Sequence, residues 1–400
     1  MKVLVNAVSA KLGGAATYVR NLVRSLEEQA APQDRFVVVV PPERAAEMAH
    51  AGRLVRVIAS SAASGSYAGR WWWDQVTLRR LISREKPDVL FSSANFAMLS
   101  CPCPQALLVR IPIYFAREYL EHVLPEKGAG FRVETAMRRW LVCRSVAGAD
   151  YVVTPSAAML SDLQRFVNIP DGRTRIIPYG VPRARIGNDH PAPAVASTND
   201  PLRLLWVSHY ADHKNLATLL RAVELLRERG NRPVELRLTL EPPLKSGQRG
   251  EHTPLREEER GLLAALDGTV RYLGVLGYEA TWKEYREAGL FAFPSLCESF
   301  GHPLVEAMAA GRPIVASDIP VHREICGEAA AYFPARDAAA LAERLAAIGD
   351  SRAFQAEMIR RGRKRVHSFI WESHVEGLLT LLRELATPRG AGEPAPAPVA

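Results

Sequence analysis

Glu298 and Glu306 stand with seven residues between them in LFAFPSLCESFGHPLVEAMAAGRPIVASDIPVHREI, residues 290–325. The apolar run before Pro294-Ser295 reads as a strand, and the polar stretch after it as a loop carrying Glu298. Gly301 permits a tight turn, Pro303 suits the first position of a helix, and Gly311 suits its end. This places Glu306 in the first helical turn. A helix N-terminus carries a partial charge of about +0.5 and attracts phosphate. The N–H groups between Phe300 and Val305 therefore form an anion site. The two carboxylates beside it are placed to accept hydrogen bonds from sugar hydroxyls, so the pattern suits a phosphorylated sugar.

Such a site needs a rigid support, and the chain supplies two. Residues 2–8, KVLVNAV, form a short β-branched run that enters a turn with Gly13-Gly14. Tyr18, Val19, Leu22, Val23 and Leu26 then recur at helical spacing, giving strand, glycine loop and helix. Further apolar runs lie at 36–40, 54–58, 88–93, 106–111, 151–156 and 174–180. A second start follows at 202–208, with helix-spaced Leu216, Leu219, Leu220 and Val223 after a polar turn, and strand candidates at 234–240, 270–275, 290–295 and 313–318. Near-continuous apolar strands are what buried parallel sheets require. Residues 184–201 lack periodicity and read as a linker. Residues 366–385 read as one or two helices, and 386–400 as a disordered tail.

At 400 residues the chain is too long for one core and suits two domains. Its 48% hydrophobic and 24% charged content is that of a globular protein, and no run reaches the roughly 20 apolar residues of a membrane helix. The start of the chain does not read as a secretory signal, and five cysteines without metal-like spacing read as cytoplasmic thiols. A net charge of +8 calls for an anionic partner. Zinc-finger spacings and aromatic-interleaved RNA motifs are absent, which argues against nucleic acid. The segment FRVETAMRRWLVCR at 131–144 reads as a basic amphipathic helix with Arg132, Arg138, Arg139 and Arg144, suited to an anionic membrane surface or to water. RWWWDQV at 70–76 reads as a helix start buried between a sheet and its neighbours, with a nucleic-acid stacking platform or a membrane anchor as the alternative, and IRRGRKR at 359–365 as a solvated charge run.

The block PSLCESFGHPLVEAMAAGRPIVASD resembles the E-x7-E signature of glycosyltransferase family 4, whose members are retaining, nucleotide-sugar-dependent enzymes of the GT-B fold. ADYVVTPS at 149–156, RIIPYGV at 175–181, HKNLATLLRA at 213–222 and VRYLGVLGYEATWKEYREAGLFAFPS at 270–295 follow the family's order and spacing. The resemblance implies that Glu306 binds the nucleotide's ribose and Glu298 the transferred sugar. It implies that the N–H groups around Phe300, Gly301 and Leu304 lie by the sugar and diphosphate. Lys214 would neutralise the diphosphate, and Gly13 and Gly14 would let the backbone approach the donor. Two positions depart from the family. His209 stands where an arginine is usual, and imidazole cannot grip phosphate bidentately. The strand LLVRIP offers Arg110 where many members place an acceptor-side histidine.

The expected protein is an α/β enzyme of the GT-B fold, two Rossmann-like parallel-sheet domains facing a crevice. They would span 1–183 on the acceptor side and 202–365 on the nucleotide-sugar side, with the helices of 366–385 crossing back to the first domain. The donor is a nucleoside diphosphate sugar. The acceptor is a saccharide, a lipid-linked molecule or a small molecule, and peripheral membrane association is open. No cofactor is expected, and the absence of any D-x-D pair speaks against a metal. A sugar phosphorylase or synthase and a catalytically silent nucleotide-sugar-binding protein are the rival readings. A dinucleotide oxidoreductase is excluded because the first turn, SAKLGGAAT, is not GxGxxG.

Overall fold

The computed structural model describes residues 1–10, 13–48, 52–61, 67–187, 200–230, 232–241 and 255–387. Most of the linker expected at 184–201, and the tail beyond Thr387, lie outside the described residues.

The chain divides into two units, each built on an all-parallel sheet. In the first, β1 (Lys2–Asn6), β2 (Arg35–Val40), β3 (Val55–Ala59), β4 (Val89–Ser92), β5 (Gln105–Leu108), β6 (Tyr151–Thr154) and β7 (Thr174–Ile176) lie in the order β3-β2-β1-β4-β5-β6-β7. In the second, β8 (Leu202–Trp206), β9 (Val234–Leu238), β10 (Val270–Tyr272), β11 (Leu290–Phe293), β12 (Ile314–Ser317) and β13 (Ala330–Phe333) lie in the order β10-β9-β8-β11-β12-β13. Val37, Val38, Val39 and Val40 of β2 are all buried, because helices cover both faces of such a sheet. The strand order reverses next to β1 in one sheet and next to β8 in the other. Open α/β sheets bind ligands at the carboxyl ends of strands flanking such a reversal.

The unit boundaries are less simple than a cut at residue 183. The first unit comprises Met1–Phe115, Pro125–Pro178 and the chain from Glu372 onward; the second comprises Ala116–Leu124 and Tyr179–Trp371. Residues 179–181 belong to the second unit because the backbone there is stitched to 369–371. Val181 N–H donates to Phe369 O at 3.1 Å, and Trp371 N–H donates to Val181 O at 2.9 Å. A Cβ on Gly180 would meet Phe369 O at 2.4 Å, so only glycine fits this close approach.

The helix Trp371–Ala386 follows, and from Glu372 it packs with the first sheet. Its His374 is buried, with Nδ1 3.1 Å from Pro178 O and Nε2 3.1 Å from the Tyr18 hydroxyl. Since a carbonyl only accepts, Nδ1 holds the proton and Nε2 accepts from Tyr18. Burial pushes this imidazole down to about 4. The basic run at 359–365 lies in the helix Arg352–Val366 and is only partly solvated, because Arg365 donates to Ile325 O and Glu324 O.

The tryptophan run differs from expectation. Trp73 alone is buried, its Nε1–H donating to Ser60 Oγ at 2.8 Å, while Trp71 and Trp72 are exposed. A turn of π-helix over Trp73–Thr77 aims Asp74 inward instead, onto Arg70 Nε at 2.7 Å and Asn6 Nδ2 at 2.9 Å.

Candidate functional site

The second unit gathers most of the singled-out residues at the carboxyl ends of β8 and β11. These two strands are direct neighbours, Leu290 aligning with Leu204. After β8 the chain passes His209 and makes a 3-10 turn over Asp212–Lys214. Asn215 then takes φ 55° and opens the helix Leu216–Arg229. Its side-chain amide donates to Pro294 O at 3.0 Å and Ala335 O at 2.7 Å, which ties the turn to the loops after β11 and β13. Leu296 N–H donates to His213 O at 2.7 Å from the other side. The two loops are thus locked together, and they carry opposite charges.

Lys214 Nζ lies 2.6 Å from Glu298 Oε1, with only 10% and 13% of the two side chains exposed. Burial alone would push the Glu298 carboxyl up, but the Lys214 ammonium and its hydrogen bond outweigh it and hold the group below its ordinary range. His213 is pushed down to about 3, first by burial and then by Lys214, with a smaller contribution from His209. It is therefore neutral, and the Tyr119 ring stands edge-on to it at 6.3 Å. Where the two loops meet, the opposing charges are the Lys214 ammonium and the Glu298 carboxylate.

The loop then reaches Gly301 at φ 89°, a conformation that only glycine adopts without strain. Leu304 N–H donates to Gly301 O at 3.0 Å as the helix His302–Ala309 begins. Phe300 anchors the turn, its ring 5.4 Å from Tyr179 and 5.6 Å from Phe369. Because the helix opens at His302, Glu306 sits in its second turn, not its first. It is thus one position further from the helix start than the sequence pattern, which began the helix at Pro303, suggested. Glu306 makes no ion pair among the described residues. Tyr285 donates its hydroxyl to Glu306 Oε2 at 2.9 Å, and burial pushes Glu306 up to about 7 against that hydrogen bond.

Behind the loop, Ser317 at the end of β12 donates to Ser295 O. His322 is fully buried, with Nδ1 2.9 Å from Ser317 O, so Nδ1 carries the proton and Nε2 is a bare acceptor. Burial pushes His322 down to about 4. Asn215, His213, Tyr285, Ser317 and His322 were not singled out in the sequence. Each lies inside or just after a segment that carries the family resemblance, but nothing in its residue type marked it out: Ser317 ends β12, His213, Asn215 and His322 follow strands, and Tyr285 lies in the helix Tyr278–Glu287.

Gly13, Gly14 and Arg110 belong to the first unit. The glycines open the helix Gly13–Gln29, and a Cβ on Gly14 would meet nothing within 4 Å. No crowding within the described chain explains that glycine. Arg110 follows β5; its N–H donates to Asn95 Oδ1 at 2.7 Å and its guanidinium lies 5.4 Å from the centre of the Tyr18 ring.

Two family models match the chain. Glycosyltransferase Family 4 matches residues 12–185, and Glycosyl transferases group 1 matches residues 192–365. O-antigen chain mannosyltransferase B of Escherichia coli is 30% identical over 171 residues, covering 42% of each chain. The match thus spans about two fifths of that relative's length. Sucrose-phosphate synthase of Thermosynechococcus elongatus superposes with a TM-score of 0.73 at 19% identity, covering 96% of this chain and 99% of that one. HepE of Anabaena, solved with UDP-glucose, superposes with a TM-score of 0.66 at 15% identity, covering 96% of this chain and 100% of that one. The two sheets and these neighbours make the fold GT-B.

Proposed function

We propose that this chain, of the GT-B glycosyltransferase type, transfers a sugar from a nucleoside diphosphate sugar to an acceptor hydroxyl with retained anomeric configuration. The observation that carries the reading is the placement of Lys214 and Glu298 on adjoining loops, and of Glu306 on the helix that follows, at the strand-order reversal of the second sheet. Lys214 has three N–H donors and spends one on Glu298. The others neutralise the departing diphosphate, together with the N–H groups at the start of the helix His302–Ala309 and, when protonated, His209. Glu298 accepts from a hydroxyl of the transferred sugar, and Glu306 from the ribose. The leaving phosphate itself takes the acceptor's proton. In the first unit, Gly13-Gly14 is assigned to the donor and Arg110 to the acceptor. HepE, solved with UDP-glucose, supports a nucleotide-sugar donor.

The test is a panel of nucleotide sugars, with release of nucleoside diphosphate as the readout, repeated with excess chelator. Release from at least one donor, undiminished by chelator, is expected. Binding without release from any donor would leave a silent binding protein. Activity restored only by magnesium or manganese would overturn the metal-free assignment.

A lipid-linked acceptor is favoured by one surface. No described helix is long and apolar enough to cross a membrane. Yet the helix Ala129–Gly148 exposes Phe131 by 38%, Val133 by 70%, Met137 by 50% and Trp140 by 60%. Arg132 and Arg144 are exposed beside them, while Arg138 pairs with Glu134 and Arg139 covers the Phe166 ring. The apolar residues thus face outward. We assign this face to the surface of an anionic bilayer, where each basic residue contributes about 1 kcal/mol. Cosedimentation with phosphatidylglycerol-containing vesicles that weakens with salt is expected; none at low salt would reject it.

A further inference from the structure

Tyr285 is fully buried in the second unit, its ring 6.0 Å from Trp282 and 5.4 Å from Phe291. A phenol sealed among aromatic rings must spend its single proton inside the protein. Two acceptors lie in reach, Glu306 Oε2 at 2.9 Å and Pro303 O at 3.3 Å. The shorter contact and the stronger acceptor are the carboxylate. A carboxylate that reads two vicinal hydroxyls must be ionised and correctly turned, since each hydroxyl needs a lone pair to donate to. We infer that Tyr285 is a positioning residue for a ribonucleoside diphosphate: its hydroxyl pins Glu306 Oε2, fixes the carboxylate plane and leaves Oε1 and one lone pair of Oε2 for the ribose diol. This rests on the assignment of Glu306 to the ribose.

The electrostatics agree with that geometry. Burial drives Glu306 up to about 7, and the Tyr285 hydrogen bond is the influence that opposes it. Tyr278, on the same helix as Tyr285, also feels the Glu306 charge, and burial and that charge hold it protonated. Arg185 lies over the Tyr278 and Trp282 rings at 5.1 and 5.2 Å and pairs with Glu279. Without the Tyr285 hydroxyl, Glu306 would hold its proton to higher pH and ribose binding would fall at neutral pH.

The experiment is calorimetric titration of the full chain with UDP, GDP and ADP, and with their 2′,3′-dideoxy counterparts, between about pH 6 and 9. Wild type and Tyr285→Phe are compared. The variant keeps the ring and loses only the hydroxyl. Wild type is expected to bind the ribonucleotide more tightly than the dideoxy form. Tyr285→Phe is expected to bind the ribonucleotide roughly tenfold more weakly at pH 7, the factor belonging to one hydrogen bond to a charged group. The gap should narrow toward pH 9, and dideoxy binding should be equal in both proteins. If wild type does not distinguish the two sugars, or binds none of the nucleotides, the ribose assignment fails and the inference with it. If wild type distinguishes them and Tyr285→Phe does so equally at every pH, the inference fails alone. A loss shared equally by ribonucleotide and dideoxynucleotide at every pH assigns Tyr285 to packing only and also overturns it. Should Tyr285→Phe not fold, 3-fluorotyrosine incorporation supplies a stronger donor at the same place. The pH midpoint of binding should then move down, and an unchanged midpoint overturns the inference.

Discussion

Two carboxylates eight positions apart in one segment live under opposite electrostatics. Glu298 leaves the end of β11 and meets Lys214 at 2.6 Å, which holds it ionised. Glu306, in the second turn of the following helix, meets a phenol instead of a cation and sits at about 7. Both are largely withdrawn from water, so burial does not separate them. The difference is the loop after β8, which Asn215 and the His213 carbonyl bind to the β11 loop but which carries its only lysine to Glu298. A paired carboxylate suits a group whose charge must persist through a reaction. A carboxylate poised near neutrality suits reversible recognition of hydroxyls, at the cost of pH sensitivity.

The comparison breaks first at Glu298→Gln. If Glu298 touches the reacting sugar, the variant should lose on the order of 10²–10³ in turnover. Its affinity for the free nucleoside diphosphate should stay within about threefold, since that ligand lacks the sugar. Steady-state kinetics with parallel calorimetry measures both, and an affinity loss matching the turnover loss would erase the division of labour. Glu306→Ala should show the reverse pattern. Donor and free nucleotide should weaken together, by roughly 1.5–3 kcal/mol for lost hydrogen bonds to a charged group.

The smallest effect concerns stability. Glu306 is raised from its ordinary 4.5 to about 7, so the folded protein binds its proton more tightly than the unfolded chain does. The contribution to stability is therefore fully present below about pH 4.5 and is lost as pH rises through about 7. Buried His213, His322 and His374 act oppositely. Their folded values lie below the usual 6.5, so stability is lost as pH falls below that value. Urea unfolding of wild type against Glu306→Gln from about pH 5 to 8 isolates the glutamate, because the histidines are common to both. Wild type should lose stability relative to the variant as pH rises; parallel curves would place Glu306 in an ordinary aqueous environment.

Much of this was legible in residue order. Buried parallel strands need near-continuous apolar runs, so β2 and β11 announce themselves as FVVVV and LFAF. The turn at Gly301 was legible because a positive φ demands a glycine there. Strand β13, AAYF, escaped because two alanines and a tyrosine carry little strand signal outside the sheet that buries them. The second-turn position of Glu306 also escaped, since a helix start can move by a residue without changing the apolar pattern.

The sequence by itself determined the two α/β halves, the loop that carries Glu298 and the helix that carries Glu306. These depend on local periodicity and on what glycine and proline allow. Only the tertiary structure decided which partner each acid meets. Lys214 is 84 positions from Glu298 and Tyr285 is 21 from Glu306, separations set by sheet order, which local sequence does not encode. The charge states followed from that choice. A carboxyl's affinity for its proton depends on what replaces the water it loses, and at these two sites the replacements are a lysine and a tyrosine brought in by neighbouring elements.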